Sequence, residues 1–477
     1  MDLKKILLDH FGYSSFREGQ QEIIEALLSN KDTLAVLPTG TGKSLTYQFA
    51  GKVLSGSVLV VSPLLSLMED QVRQLQKQGE RRVIAFNSFL SYDEKQYILT
   101  HLHTYKFIFI SPESLMKEAV LSKLQEMNLS LFVIDEAHCV SQWGVDFRPE
   151  YVKIKDVLQK LDFPLTLALT ATASASVENE IKEYLFKEPA NVCVFVYSVN
   201  RKNLVLAVEQ TQEKEQRLFD YLAVMNRKGI VYCTARKTTE MLCRKVRMQT
   251  SLRVAFYHGG LSAGERNKIQ QQFIDNDLDV LFATNAFGMG IDKPDIRFVV
   301  HYDCPASLEN YVQEIGRAGR DGLSAKAVLL YRDGDEIIHR FFRDEVKEDL
   351  NALQRLIEGH SEFSPELIES MSEIQQKWLQ GYLDGSYTLE TLNERLQKKD
   401  QEKYYQLEQM LEYIHTNTCR RGFIMNYFSE EPLTEKEELC CDNCGSVAEI
   451  MIESEKTVEM PEESWQEILI RLFKDKK

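Results

Sequence analysis

The stretch Thr33-Leu34-Ala35-Val36-Leu37-Pro38-Thr39-Gly40-Thr41-Gly42-Lys43-Ser44 passes from an apolar run into a glycine-containing turn, and LTYQFAGKVL (45–54) follows with helical character. Strand, tight turn and helix in that order make a cradle for an anion. The glycines let successive backbone N–H groups curl around a phosphate, and the helix N-terminus adds the positive end of its dipole. Lys43 is placed to reach the β- and γ-phosphates of a nucleoside triphosphate, and Ser44 to ligate its Mg2+. Thr39, Gly40, Thr41, Gly42, Lys43 and Ser44 are therefore the expected ATP-binding loop. The strict form of such a loop begins with glycine where this chain has Leu37.

The same strand-then-turn rhythm repeats downstream in SVLVVSP (57–63), FIFISP (107–112), LFVIDE (131–136) and LTLALTAT (165–172). A second series begins with GIVYCT (229–234) and continues through RVAFYH, DVLFAT, RFVVHYD and KAVLLY (326–331). Strands this apolar, alternating with helix-length segments, predict parallel sheets covered on both faces. The expected architecture is α/β, with two tandem P-loop units followed by a helix-rich region. Boundaries are expected at 1–207, 208–340 and 341–446, with an acidic tail over 447–477; the charged segment VEQTQEKEQR (208–217) marks the first of them. Ligands of doubly wound sheets bind at the carboxyl ends of strands, which is where the polar turns lie.

Composition narrows the function classes. With 44% apolar and 27% charged residues, 11 Pro and 23 Gly, the chain has a globular balance that excludes disordered, collagen-like and low-complexity proteins. No apolar run approaches the ~18 residues of a membrane span. The N-terminal MDLKKILLDHFGY is too short in its apolar part, and too soon acidic, for a signal peptide. A cytoplasmic location, with the nucleoid in a bacterium, and no membrane partner are expected. The 57 Lys+Arg against 72 Asp+Glu give a net charge of −15, which by itself argues against a nucleic-acid partner. A local groove can nevertheless be basic on an acidic protein, and much of the acid falls in residues 430–463. Of nine cysteines, Cys139, Cys193, Cys233, Cys243 and Cys304 are scattered singly and read as small buried hydrophobes.

The run LFVI (131–134) ends in Asp135-Glu136-Ala137-His138. An acidic pair leaving a buried strand supplies the other half of a nucleotide site. Asp135 would hold the Mg2+ hydration shell and Glu136 would orient or deprotonate the attacking water. Arg317 and Arg320, three apart and so on one face of a helix, come from the second unit and can reach a phosphate held by the first.

These motifs in order resemble RecQ helicases of superfamily 2. The resemblance covers residues 11–331 and rests on FGYSSFREGQQEII (11–24), DEAH (135–138), TATAS (170–174), ATNAFGMGID (283–292) and YVQEIGRAGRDG (311–322). It implies an ATP-dependent DNA helicase with 3′→5′ movement, acting in recombination and repair. Single-stranded and tailed duplex DNA would be its substrates, and single-strand-binding or repair proteins candidate partners. FGYSSFREGQQEII then corresponds to an adenine-recognition motif, in which Tyr13 can stack on the base while Gln20 bonds its edge and Arg17 offers a fork of donors. The tract His138-Cys-Val-Ser-Gln142-Trp143-Gly-Val-Asp-Phe147-Arg148 resembles the aromatic-rich loop that contacts single-stranded DNA. Exposed aromatics stack on bases at ~1–3 kcal/mol each without reading sequence. His258, Arg266 and Asn285 are further candidates for the DNA track or the interface between the units.

Cys419, Cys440, Cys441 and Cys444 are spaced as a structural Zn2+ site. A similar module follows the helicase motifs in RecQ-like enzymes, where two Cys-x2-Cys steps are found. Here Glu438 stands at one expected cysteine position and Cys440 adjoins Cys441, so the fourth ligand is an open question. Many relatives continue into winged-helix and HRDC domains; the 33 residues after Cys444 are too few for either, and the chain is expected to be a short form. Two rival readings exist. An RNA-dependent ATPase is disfavoured by the Trp-containing loop and the zinc module, and a nucleotide-binding scaffold by the intact Lys43, Asp135, Glu136, Arg317 and Arg320.

Overall fold

A computed structural model describes residues 2–445 except 39, 64, 88–89, 141–150, 152, 174, 226–227, 288–292, 360–362, 386 and 432–439. The acidic tail therefore lies outside the described residues. Among the described residues thirteen strands form two sheets. The first is built from β1 (Thr33–Val36), β2 (Ser57–Val61), β3 (Val83–Phe86), β4 (Phe107–Ile110), β5 (Leu129–Ile134), β6 (Thr166–Thr170) and β7 (Cys193–Val196) in the order β3-β4-β2-β5-β6-β1-β7. Every neighbouring pair is parallel. The side chains of β1, β2 and β4 are buried throughout, as expected of strands covered on both faces.

The second sheet holds β8 (Leu204–Gln210), β9 (Gly229–Tyr232), β10 (Val254–Tyr257), β11 (Val280–Ala283), β12 (Phe298–His301) and β13 (Ala325–Tyr331), ordered β10-β11-β9-β12-β13-β8 and again all parallel. The two parallel-sheet units are RecA-like. The expected boundary at 207/208 falls inside β8, which pairs with β13 from Leu204 to Gln210, and 208–217 spans the end of that strand and the start of a helix.

The second half of the chain is helical after β13. Helices Ile337–Gly359, Glu373–Leu383 and Leu389–His415 share a small apolar core around Leu353, Trp378 and Leu392. The far end of the 27-residue helix Leu389–His415 leaves that core. There Met410, Tyr413 and Ile414 join Ile424, Phe428, Cys440 and Cys441 in the core of the second sheet. The cysteine region is thus packed on the second RecA-like unit. Cys441 extends the edge of β8 by a parallel bridge to Leu206, with Leu206 N–H donating to Cys440 O at 3.1 Å. Among the described residues no helix is long and apolar enough to cross a membrane.

Candidate active site and metal centre

The carboxyl ends of β1 and β5 face one cleft of about 410 Å3, which the second unit closes from the opposite side. From the first sheet come Gly40, Gly42, Lys43, Ser44, Asp135 and Glu136; from the second come Gln313, Arg317 and Arg320. Gly40 and Gly42 have φ of 86° and 77°, the left-handed conformation that a tight loop ahead of the helix Lys43–Val53 requires. Thr41 turns its hydroxyl back onto Pro38 O at 2.7 Å, so it shapes the loop from behind. Thr39 is outside the described residues.

Glu136 also has a positive φ, 51°, and this turns the chain from β5 into a short 3-10 segment, Ala137–Val140. Asp135 is held at the strand end, where its Oδ1 accepts from Glu136 N–H at 3.0 Å. Burial, and then the neighbouring Glu136 charge, push its carboxyl up to about 7, while Lys43 pulls the other way. A cation is the natural relief for such a carboxylate.

His138 is the first residue of the tract expected on the DNA path. It is buried (1% exposed), with Nδ1 2.9 Å from Thr170 Oγ1 and 3.4 Å from Glu136 Oε2. Thr170 Oγ1 donates to Thr172 O at 3.0 Å, so it receives a hydrogen bond from His138 Nδ1–H. Burial lowers the imidazole pKa and favours the neutral ring. Gln313 Nε2 donates to Thr172 Oγ1 at 3.4 Å, which brings the second unit to the end of this chain of contacts. Gln142, Trp143, Phe147 and Arg148 lie outside the described residues. His258 is buried against Glu240 at 3.2 Å, and Asn285 is exposed.

The adenine-side residues divide between the cleft rim and the phosphate loop. Tyr13 is on the cleft rim and 53% exposed, available for stacking. Gln20 is 2% exposed, and its amide N–H groups are engaged by Thr41 O (2.8 Å) and Gly42 O (3.2 Å). Its Oε1 accepts from Arg17 N–H at 2.9 Å, and Arg17 Nη1 donates to Gly40 O. Here the pair braces the phosphate loop, and only a lone pair of Gln20 Oε1 remains for a base.

The four cysteines meet as the spacing predicted. Their Sγ atoms all lie within 4.8 Å of one another, and Cys440, the doubtful ligand, is 3.4 Å from Cys419. Tetrahedral Zn–S bonds of ~2.3 Å place sulfurs at about this separation, so the donor set fits zinc. Cys419 caps the helix Arg420–Tyr427, where its Sγ accepts from Gly422 N–H. Although burial raises it, that N–H and the adjacent thiols leave the Cys419 thiol with a lowered pKa. Arg420 is locked to Asp442, whose Oδ2 accepts from Val208 N–H at 2.9 Å.

Residues 17–181 match the DEAD/DEAH box helicase family, 213–322 the helicase conserved C-terminal domain and 347–445 the RecQ zinc-binding family. The chain is 41% identical to the probable ATP-dependent DNA helicase RecS of Bacillus subtilis (strain 168), over 99% of this chain and 98% of that protein. It is 36% identical to ATP-dependent DNA helicase RecQ of the same organism, over 93% of this chain and 66% of that one. Its fold resembles the helicase Lhr of Mycobacterium smegmatis bound to ssDNA and AMP-PNP, with a TM-score of 0.58 at 21% identity over 69% of this chain and 47% of that. A phosphate loop facing two arginines across two RecA-like sheets, a four-cysteine cluster and these relatives lead to one assignment: the chain belongs to the RecQ family of ATP-dependent DNA helicases.

Proposed function

We propose that this helicase moves 3′→5′ on single-stranded DNA and separates duplexes ahead of it, in recombination and repair in the cytoplasm, with single-strand-binding or repair proteins as partners. The observation that carries the reading is that Arg317 and Arg320 line the same cleft as Lys43, Asp135 and Glu136 although they belong to the other unit. In this reading Lys43 binds the β- and γ-phosphates, Ser44 and Asp135 hold Mg2+, and Glu136 orients the attacking water. Bound Mg2+ neutralises charge that develops on the phosphates. Arg317 and Arg320 stabilise the transition state only when the cleft is closed, so turnover is tied to relative movement of the units. Arg317 Nε, buried without a hydrogen-bond partner, is consistent with a role toward an anion. The chain of contacts Glu136–His138–Thr170–Thr172–Gln313 offers a route by which the second unit senses the water-activating carboxylate.

Gln142, Trp143, Phe147 and Arg148 supply the single-strand contacts in this reading, and Tyr13 stacks on the adenine. Unwinding of duplexes with a 3′ or a 5′ single-stranded tail tests the polarity. Only the 3′-tailed substrate should open; opening of the 5′-tailed one alone would reverse the assignment. Trp143→Ala should leave a folded ATPase that no longer responds to DNA.

A further inference from the structure

Arg201 lies in the segment between β7 and β8 and was not among the residues the sequence motifs singled out. Its guanidinium donates to three carbonyls of one turn: Gly316 O at 3.3 Å, Ala318 O at 3.2 Å and Gly319 O at 2.7 Å. That turn follows the helix Leu308–Ile315 and carries Arg317 and Arg320. A helix C-terminus leaves carbonyls without intrahelical donors, and a cation with a planar fork suits them. The same guanidinium also faces the phosphate loop, for a Cβ placed on Gly40 would stand 3.3 Å from Arg201 Nη1 and 2.9 Å from Arg320 Cγ. Burial first, and then the charges of Arg320 and Arg17, press the Arg201 pKa down to about 10, still far above neutrality. A charge is therefore held among other cations, an unfavourable placement offset by the three carbonyl bonds.

The segment itself is anchored. Arg421, from the helix behind Cys419, donates to Arg201 O at 2.9 Å. Asn203 Nδ2 donates to Gly319 O and Leu323 O, both at 2.8 Å, supporting the same turn from the other side.

We propose that Arg201 is a positioning residue of the ATPase: it fixes the turn bearing Arg317 and Arg320 against the phosphate loop, so that a shift of the inter-unit segment withdraws both arginines together. This rests on the reading of Arg317 and Arg320 as the transition-state arginines. Arg201 does not act on the phosphates itself. Its loss should lower turnover while nucleotide affinity is kept.

The test is single-turnover phosphate release, with binding of a fluorescent ATP analogue and thermal unfolding measured alongside. Arg201→Gln should lower the DNA-stimulated hydrolysis rate at least tenfold and change nucleotide affinity less than about twofold. Arg201→Lys, which keeps charge and stem but cannot span three carbonyls, should show the same selective loss and guards against a folding defect in the first variant. In a background already carrying Arg320→Ala, the cost of Arg201→Gln should shrink at least threefold, because one of the positioned groups is gone. An equal cost in both backgrounds, full turnover in Arg201→Lys, or a loss confined to nucleotide affinity would overturn the proposal. If Arg320→Ala alone keeps its turnover, the arginine reading itself fails, and this is seen separately from the Arg201 result.

Discussion

The stem of Arg320 rests on Gly40, so close that a methyl group at residue 40 would come within 2.9 Å of Arg320 Cγ. Two loops from different sheets are therefore in direct contact at the point where a triphosphate would lie. Gly40→Ala should be doubly unfavourable, because φ is 86° and the neighbour is crowded. The expected outcome is at least a tenfold loss of ATP turnover with roughly 1–3 kcal/mol of lost stability. Steady-state hydrolysis and denaturant unfolding check both; unchanged turnover would mean that this contact is not part of the working cleft.

Lys43→Ala should abolish hydrolysis and unwinding while single-stranded DNA binding survives, since only the phosphate cradle is altered. Arg320→Ala should bind nucleotide and lose turnover by ~10^3 or more. A filter-binding assay together with phosphate release separates the two effects. A mere weakening of ATP binding in Arg320→Ala would remove it from the transition state.

Asp135 carries a stability penalty that depends on pH. Its folded pKa is raised to about 7 from 3.8, so the stability it contributes is present below the unfolded value and lost as pH rises through 7. Without nucleotide or Mg2+, Asp135→Asn should therefore unfold at higher temperature than the wild type at pH 8. The gain should shrink steadily as pH falls from 7 towards 4. A gain independent of pH would show that Asp135 is not held against its charge.

The cysteine cluster should retain one Zn2+ per chain through dialysis, and Cys440→Ser should lose it. Because Cys440 and Asp442 also anchor the edge of β8, metal removal should lower the unfolding temperature of the second unit as well. Elemental analysis and thermal unfolding with and without chelator report this. Full zinc in Cys440→Ser would require another fourth ligand.

Ten of the thirteen strands, and both halves of the nucleotide cleft, could be read from apolar runs ending in small or charged residues. The three that were not are β3, β7 and β8. Strands β3 (VIAF) and β7 (CVFV) are the two edges of their sheet, and no side chain of β7 is buried, so its run carries little core signal. The β8 sequence LVLAVEQ ends in charge because Glu209 is paired with Arg217, and this made a strand look like a linker. His138 Nδ1 and the Gln20 amide N–H groups also hold the loops that build the site. Such bonding is a property of the fold, since Thr170 is far from His138 along the chain. Arg201 had no signal at all: its three acceptors are backbone carbonyls, which no side-chain pattern announces.

In the proposed function the cleft between the two sheets hydrolyses ATP in response to single-stranded DNA. Steady-state ATP hydrolysis by the full chain, without nucleic acid, with single-stranded DNA and with single-stranded RNA, decides this. Hydrolysis should rise at least tenfold with DNA, not at all in Lys43→Ala, and much less with RNA. Hydrolysis that ignores DNA, or that responds to RNA alone, would contradict the proposed function.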